Sequence, residues 1–190
     1  MSVRKQLAVF ISGRGSNMTA ILAATQSPDF PAEIALVISD NADAGGLETA
    51  HEHGIKAIAV ERSDFNSKQE HETAIIQAIE AQQIDLLCLA GYMRLLSADF
   101  VKRFEGKLIN IHPSLLPKFK GLDTHARAIE AGEPQHGCTV HHVNAEMDGG
   151  EIIAQASVPV LEADTPEILA ARVLAEEHKL YPQVIAELCK

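Results

Sequence analysis

Short apolar runs alternate with segments of helical spacing from the N-terminus to residue 112, and this alternation restricts the fold more than any other feature of the chain. The apolar runs have the length of buried strands, and Met18, Ile21 and Leu22 show the spacing of a helix with one apolar face. Repeated strand–helix–strand units favour a parallel sheet with helices on both faces. The predicted strands are 7–11, 34–39, 55–60, 84–90 and 108–112, and the predicted helices are 17–25, 45–53, 67–83 and 97–103.

The second half of the chain has a different pattern. Two strand-like runs, 138–143 and 152–160, flank a polar segment and indicate an antiparallel extension of the sheet. A short helix is predicted over 124–131. A last helix begins with Thr165 as its cap, and Pro182 is predicted to break or kink it.

These elements predict an α/β fold: a Rossmann-like, doubly wound and mostly parallel sheet that is extended by C-terminal antiparallel strands. A chain of 190 residues, of which 46% are apolar, can bury one sizeable core. No linker-like, repeated or low-complexity segment divides the sequence. We therefore expect a single domain over 1–190.

Charge and composition restrict the class of partner. The formal net charge of −10 argues against nonspecific nucleic-acid binding, which needs Lys and Arg to neutralise phosphates. No apolar run approaches the ~20 residues that a membrane helix needs. Residues 1–6 lack the pattern of a signal peptide, so we expect a cytoplasmic protein. Cys88, Cys138 and Cys189 are odd in number and far apart, which argues against a disulfide framework and against structural zinc.

Three polar clusters follow predicted strands, at the edge where α/β sheets bind ligands. They are 13–16, Gly-Arg-Gly-Ser; 91–94, Gly-Tyr-Met-Arg; and 110–118, Asn-Ile-His-Pro-Ser-Leu-Leu-Pro-Lys. Side chains at i and i+2 of a strand share a face, so Asn110 and His112 point the same way where the strand ends. An amide beside an imidazole can hold and protonate a developing oxyanion. The alternative is a polar strand end whose side chains satisfy nearby backbone groups.

The glycine loop before the first predicted helix can bring backbone N–H groups close to an anion. Met18 stands where a dinucleotide motif has its third glycine, and Asp40 is only a candidate for the acidic residue after the second strand. A single phosphate monoester, held by amides and by the Ser16 hydroxyl, therefore fits better than a dinucleotide. An ordinary Gly-rich turn with a helix cap is the structural alternative.

Together the segments resemble the phosphoribosylglycinamide formyltransferases, a family of folate-dependent enzymes of purine biosynthesis. The matching segments are 11–17, 89–94, 110–118 and 147–150, in the family's order and at similar spacing, and the similarity covers nearly the whole chain. The last two segments recur in other enzymes that use 10-formyltetrahydrofolate, whereas the glycine loop is similar to the family's glycinamide ribonucleotide phosphate site. We expect neither the N-terminal regulatory domain of a formyltetrahydrofolate deformylase nor the C-terminal nucleic-acid-binding domain of a methionyl-tRNA formyltransferase.

The resemblance implies a mechanism. The amine of glycinamide ribonucleotide attacks the formyl carbon of the cosubstrate 10-formyltetrahydrofolate, and Asn110 and His112 donate to the oxygen of the tetrahedral intermediate. Asp148 favours the charged form of His112 and helps to move the amine proton through water. Asp-Gly-Gly is also a common turn signature, so a purely structural Asp148 is the alternative. The resemblance assigns phosphate binding to the half 1–105, and folate binding and catalysis to the half 106–190.

The resemblance also assigns binding residues. Those expected to bind the nucleotide phosphate and sugar are Gly15, Ser16, Asn17 and Glu177, and those expected to bind the folate are Lys68, Met93, Arg94, Leu95, Leu96, Asn144 and Met147. Lys68 stands where the family often has Arg, and it supplies charge without a bidentate fork. Asp123 and Leu174 depart from the family pattern, and His141 ranks behind His112 as a site residue. No metal is expected.

Three other functions are weighed against this one. They are a 10-formyltetrahydrofolate hydrolase, a nucleotide-binding regulatory domain without folate affinity, and a dinucleotide-dependent oxidoreductase, which Met18 disfavours. We expect only small-molecule partners, without nucleic acid or membrane, and a monomer or a homodimer.

Overall fold

A computed structural model describes residues 4–190. Residues 1–3, part of the N-terminal segment that lacks a signal-peptide pattern, lie outside the described residues. The strands are β1 (Lys5–Ile11), β2 (Ala32–Ser39), β3 (Lys56–Ala59), β4 (Leu86–Leu89), β5 (Leu108–His112), β6 (Gln135–His142) and β7 (Ile152–Pro159). The α-helices are α1 (Ser16–Thr25), α2 (Gly45–Glu52), α3 (Lys68–Glu80), α4 (Ala98–Arg103), α5 (Thr124–Glu130) and α6 (Pro166–Leu188).

Within residues 4–190, seven strands form one sheet in the order β3-β2-β1-β4-β5-β6-β7. Neighbours from β3 to β5 are parallel, whereas β6 pairs antiparallel with both β5 and β7. β2 and β3 are added to the sheet on one side of β1, and β4 and the later strands are added on the other side. The strand order therefore reverses between β1 and β4. Ligands of open α/β sheets bind beyond the strands' carboxyl ends at such a reversal. The predicted fold class is confirmed.

The central strand β1 separates two hydrophobic layers. Leu7, Val9 and Ile11 pack with α1, α2 and α6 on one face of the sheet, and Ala8 and Phe10 pack with α3 and α4 on the other. All five side chains are fully buried, as expected for a parallel strand that is covered on both faces. This core fixes the carboxyl ends of β1, β4 and β5 relative to one another.

The predicted ends of most elements are shifted by a few residues. The larger shift is in β6, which begins at Gln135 rather than at residue 138, because His136 and Gly137 also pair with β7. Gly137 allows this close pairing, since a Cβ atom there would lie 2.0 Å from the carbonyl oxygen of Ala156. The predicted strand missed these residues because neither belongs to the β-branched or aromatic types that strands favour.

Of the two effects predicted for Pro182, a break or a kink of the last helix, the break is wrong, because α6 runs from Pro166 to Leu188 with Pro182 inside it, and the kink stays a prediction. Proline in a helix interior costs about 3 kcal/mol, since it lacks the N–H group that would bond four residues back. Tyr181, Val184 and Ile185 around it are almost fully buried in the core. Burial of each large apolar side chain contributes about 1.5–3 kcal/mol, so packing outweighs the local cost.

The three cysteines, Cys88, Cys138 and Cys189, are free and buried. Burial raises the pKa of the Cys138 thiol to about 12 and that of the Cys189 thiol to about 11. These thiols therefore stay protonated near neutral pH and act as small core side chains. Among the described residues, no helix is long and apolar enough to cross a membrane.

Candidate active site

A cavity of about 530 Å³, called the main cavity below, opens at the carboxyl end of β5. Asn110, His112 and Asp148 all line it. The first two side chains come from the end of β5, and Asp148 comes from the loop between β6 and β7. The structure thus brings the three predicted catalytic side chains to one space, while their roles stay predictions.

His112 faces an acceptor at each ring nitrogen. Its Nε2 donates to the carbonyl oxygen of Phe119 at 3.0 Å, and its Nδ1 lies 3.5 Å from Oδ2 of Asp148. The side chain is buried. A ring protonated on both nitrogens would find an acceptor for each proton. The distance to Asp148 exceeds that of an ordinary hydrogen bond, so the Nδ1 side is the less constrained one.

Backbone geometry holds Asp148 beside His112. Its φ of 47° lies in the left-handed region, which is uncommon for residues other than glycine. The backbone N–H of Gly121 donates to Oδ2 of Asp148 at 2.9 Å. Two residues later in the chain, a Cβ atom on Gly150 would lie 1.7 Å from the carbonyl oxygen of His142, so only glycine fits there. The Asp-Gly-Gly segment is therefore a tight turn that also presents a carboxylate to the main cavity.

His141 fixes the orientation of the Asn110 amide from the neighbouring strand. Its Nδ1 donates to the carbonyl oxygen of His142 at 2.8 Å, and burial lowers its pKa, which favours the neutral ring. In that tautomer Nε2 is an acceptor, and it lies 3.2 Å from Nδ2 of Asn110. One N–H of the amide is used there, and the second remains for another acceptor. His141 ranked behind His112 on sequence grounds, and the register of β5 against β6, which pairs it with Asn110, is the signal that would have placed it.

A second cavity, of about 350 Å³, lies at the N-terminus of α1 and is called the loop cavity below. Gly15, with a φ of 70°, is the cap of α1, and it lines this cavity together with Ser16 and Asn17. Asn17 Nδ2 donates to Oε2 of Glu177, in α6, at 2.6 Å. Glu177 is buried, which raises its pKa, while the bond from Asn17 opposes this shift. The four predicted nucleotide-binding residues are therefore neighbours, and Glu177 is not a solvated helix residue.

The predicted folate-binding residues lie around the main cavity at different depths. Met93, Arg94 and Leu95, which follow β4, line it together with Met147. Asn144 lines a smaller cavity beside Asn110, of about 130 Å³. These residues form two opposing walls, one after β4 and one in the β6–β7 loop.

Lys68 lies further out, whereas Leu96 also lines the smaller cavity beside Asn110. Both line a cavity of about 270 Å³ whose wall also includes Met93 and Arg94, but neither lines the main cavity. The Lys68 ammonium is 3.9 Å from a carboxylate oxygen of Glu72 and is half-exposed. Lys68 is therefore placed for the outer part of a long ligand rather than for its reacting end.

The two departures from the family pattern are placed differently. Asp123 precedes α5 with a φ of 56° and lines the main cavity. Leu174 lies half-buried in α6. Only Asp123 can therefore contact a ligand of the main cavity directly.

Two further histidines lie close to His112 and were not singled out from the sequence. The rings of His125 and His136 are 5.1 Å apart, and His125 lines the main cavity. Burial lowers the pKa of both rings, that of His136 to about 4. Both are neutral near pH 7, so they add no charge to the site. In the part of the chain that the structure describes, no group of three or more His, Cys, Asp or Glu is arranged to hold a metal ion.

Residues 5–185 match the model of a protein family described as formyl transferase. The chain belongs to the formyl transferase family. A formyl transferase relative, phosphoribosylglycinamide formyltransferase of Haemophilus influenzae, is 48% identical over 181 residues, which are 95% of this chain and 85% of that protein. The trifunctional purine biosynthetic protein adenosine-3 of Homo sapiens is 43% identical over 96% of this chain, but the chain spans only 18% of its length.

The fold of this chain is also similar to that of a solved phosphoribosylglycinamide formyltransferase. The crystal structure of phosphoribosylglycinamide formyltransferase from Brucella melitensis superposes with a TM-score of 0.95 and 53% sequence identity. The match covers 98% of this chain and 96% of that one. The whole described sheet, including its antiparallel strands, is thus typical of this family.

Proposed function

We infer that this protein transfers the formyl group of 10-formyltetrahydrofolate to the amine of glycinamide ribonucleotide, a step of de novo purine biosynthesis. The observation that carries this inference is the meeting of Asn110, His112 and Asp148 in the main cavity, next to a glycine loop at a helix N-terminus. Gly91 and Met93 line both cavities, so a ligand in each would have its reacting end near the shared wall.

The loop cavity binds the phosphate of glycinamide ribonucleotide. Backbone N–H groups at the start of α1 and the Ser16 hydroxyl are donors of the kind that phosphate accepts, and the helix dipole adds to them. Glu177 accepts from the sugar hydroxyls. Its bond from Asn17 at 2.6 Å holds the carboxylate beside the loop and supports this role.

The main cavity binds the folate. The pterin lies between the segment Met93–Leu96 and the loop that carries Asn144 and Met147, and the charged tail extends towards Lys68. The exposed apolar side chains of Met93, Leu95 and Met147 support this assignment, because they form a rim that a flat ring can cover.

The amine attacks the formyl carbon, and the carbonyl oxygen becomes an oxyanion. Asn110 donates its second N–H to this oxygen, since its first is held by His141. His112 donates from Nδ1, the nitrogen with the looser contact. Each such donor is worth about 3 kcal/mol of transition-state stabilisation in comparable sites.

Asp148 orients the ring of His112, since its carboxylate lies 3.5 Å from Nδ1. The amine loses a proton as the C–N bond forms, and the folate nitrogen gains one as its bond to the formyl carbon breaks. Asp148 passes this proton through water. The Asp148 side chain is only 13% exposed, and the ring of His141, whose Nε2 lies 3.8 Å from Oδ1, helps to shield it from solvent.

We assign one domain, in which residues 1–105 supply the glycine loop and one wall of the folate site, and residues 106–190 supply the other wall, Glu177 and the catalytic groups. We place the enzyme in the cytoplasm as a monomer or a homodimer that needs neither metal nor nucleic acid.

One assay tests this function. The purified protein is mixed with 10-formyltetrahydrofolate, with and without glycinamide ribonucleotide, and the loss of the formyl group is followed by absorbance. We expect turnover only when the ribonucleotide is present, and none when free glycinamide replaces it, because glycinamide lacks the phosphate. Equal turnover without the amine substrate would refute the transferase and indicate a hydrolase.

A further inference from the structure

Asp40, at the carboxyl end of β2, joins two loops that the proposed reaction uses separately. Its carboxylate accepts a hydrogen bond from Oγ of Ser12 and one from Nε of Arg94 at 2.9 Å. Ser12 Oγ in turn accepts from the backbone N–H of Met93 at 2.8 Å. The Asp40 side chain is only 10% exposed, so this ion pair is shielded from solvent on the carboxylate side.

The network spans the two cavities. Ser12 opens the glycine loop and lines the loop cavity, and Arg94 lines the main cavity. Met93 lines both. Two side-chain bonds to Asp40 and one backbone bond to Ser12 therefore connect the glycine loop to the wall of the main cavity.

The negative charge of Asp40 lies close to the glycine loop that is proposed to bind a phosphate. An acidic side chain near a phosphate site weakens anion binding through repulsion. The pairing with Arg94 neutralises it, and the pair leaves the phosphate to backbone amides. Asp40 is thus not placed to contact either substrate, and its bonds go to the two loops that do.

We propose that Asp40 is a positioning residue that couples the two substrate sites, so that a phosphate bound at the glycine loop tightens folate binding at the segment Met93–Leu95. This inference rests on the proposed function, since it takes glycinamide ribonucleotide and a folate as the two ligands. Phosphate binding orders residues 13–17, Ser12 and Asp40 hold the adjoining wall in place, and the folate then binds to a wall that is already fixed. By linkage, the folate tightens ribonucleotide binding by the same factor.

The test is a binding cycle without turnover. Calorimetry gives the dissociation constant of an unreactive 10-substituted folate analogue with and without saturating glycinamide ribonucleotide. The ratio of the two constants is the coupling factor, and a change that affects only one ligand cancels from it. We expect a factor of about 5 or more for the unaltered protein, within the usual range of allosteric coupling.

Asp40→Ala and Ser12→Ala should each bring the coupling factor to within about twofold of unity. Asp40→Asn keeps the shape of the side chain, removes its charge and serves if the alanine variant does not fold. Asp43→Asn is the matched control, because Asp43 lies exposed in the same loop and its side chain makes no ion pair within residues 4–190. It should keep the factor of the unaltered protein.

A merely structural brace would lower the melting temperature of the variants and leave the coupling factor unchanged. That result, or a factor near unity in the unaltered protein, overturns the inference. Failure of the proposed function is seen separately, as absence of formyl transfer to the ribonucleotide by the unaltered protein.

Discussion

Replacement of Asn110 by alanine tests the oxyanion site directly. One N–H of its amide is held by Nε2 of His141 at 3.2 Å, so the substitution removes a single donor from the reacting oxygen. One oxyanion-hole donor is worth about 2.7–4 kcal/mol, and each 1.36 kcal/mol is tenfold in rate. We therefore expect Asn110→Ala to lower kcat by about 10²- to 10³-fold, with dissociation constants within about threefold of the original.

The assay is a single-turnover measurement with both substrates saturating, so that the chemical step is observed apart from binding and release. Asn66→Ala is the control, because Asn66 is exposed and does not line the main cavity. Circular dichroism and thermal unfolding report whether each variant is folded. A fall of less than about fivefold in the single-turnover rate of a folded Asn110→Ala variant would refute the assignment of this amide to the oxyanion.

Three other predictions concern binding, folding and pH. Folding raises the pKa of Glu177, so the protonated side chain stabilises the folded protein below the ordinary Glu pKa, and this contribution is lost as pH rises. Glu177→Gln should therefore raise the melting temperature at pH 7–8. It should also increase the KM for glycinamide ribonucleotide about tenfold or more. Gly150→Ala should cost about 2 kcal/mol or more in urea unfolding and also lower kcat, because its Cβ would meet the carbonyl oxygen of His142 and displace the loop that carries Asp148; unchanged unfolding would contradict the contact. Folding lowers the pKa of His136 to about 4, so the unfolded chain binds the extra proton first and stability should fall as pH drops from about 6.5 towards 4; His136→Phe should flatten this part of the stability curve, and an unchanged curve would exclude the ring as its source.

The parts of the site that could be predicted are those set by local periodicity. Asn110 and His112 share a face because they are two residues apart on a strand, and the glycine loop lies at a helix start because an apolar strand precedes it. The order of strands and helices followed from their repeated alternation. Each of these inferences needs only residues that are close in sequence.

The parts that could not be predicted depend on contacts between distant segments. Nothing local places Asp148 beside His112, and only the resemblance suggested it. His141 needed the antiparallel register of β6 against β5, and the burial of Glu177 needed the docking of α6 on α1. The sequence offered Asp40 as a candidate ribose-binding acid, whereas the structure pairs it with Ser12 and Arg94. Side-chain partners of this kind are fixed only when the sheet has formed.

The central claim is that a neutral amide, an imidazole and one carboxylate act together on a single formyl group. Asp148→Asn measures this most directly, since it keeps the size of the side chain and its acceptor for the Gly121 N–H but removes the charge beside His112. With both substrates saturating, we predict normal folding, dissociation constants within about threefold, and a single-turnover rate lower by about 10³-fold or more. A folded variant that transfers the formyl group at an unchanged rate would contradict the account.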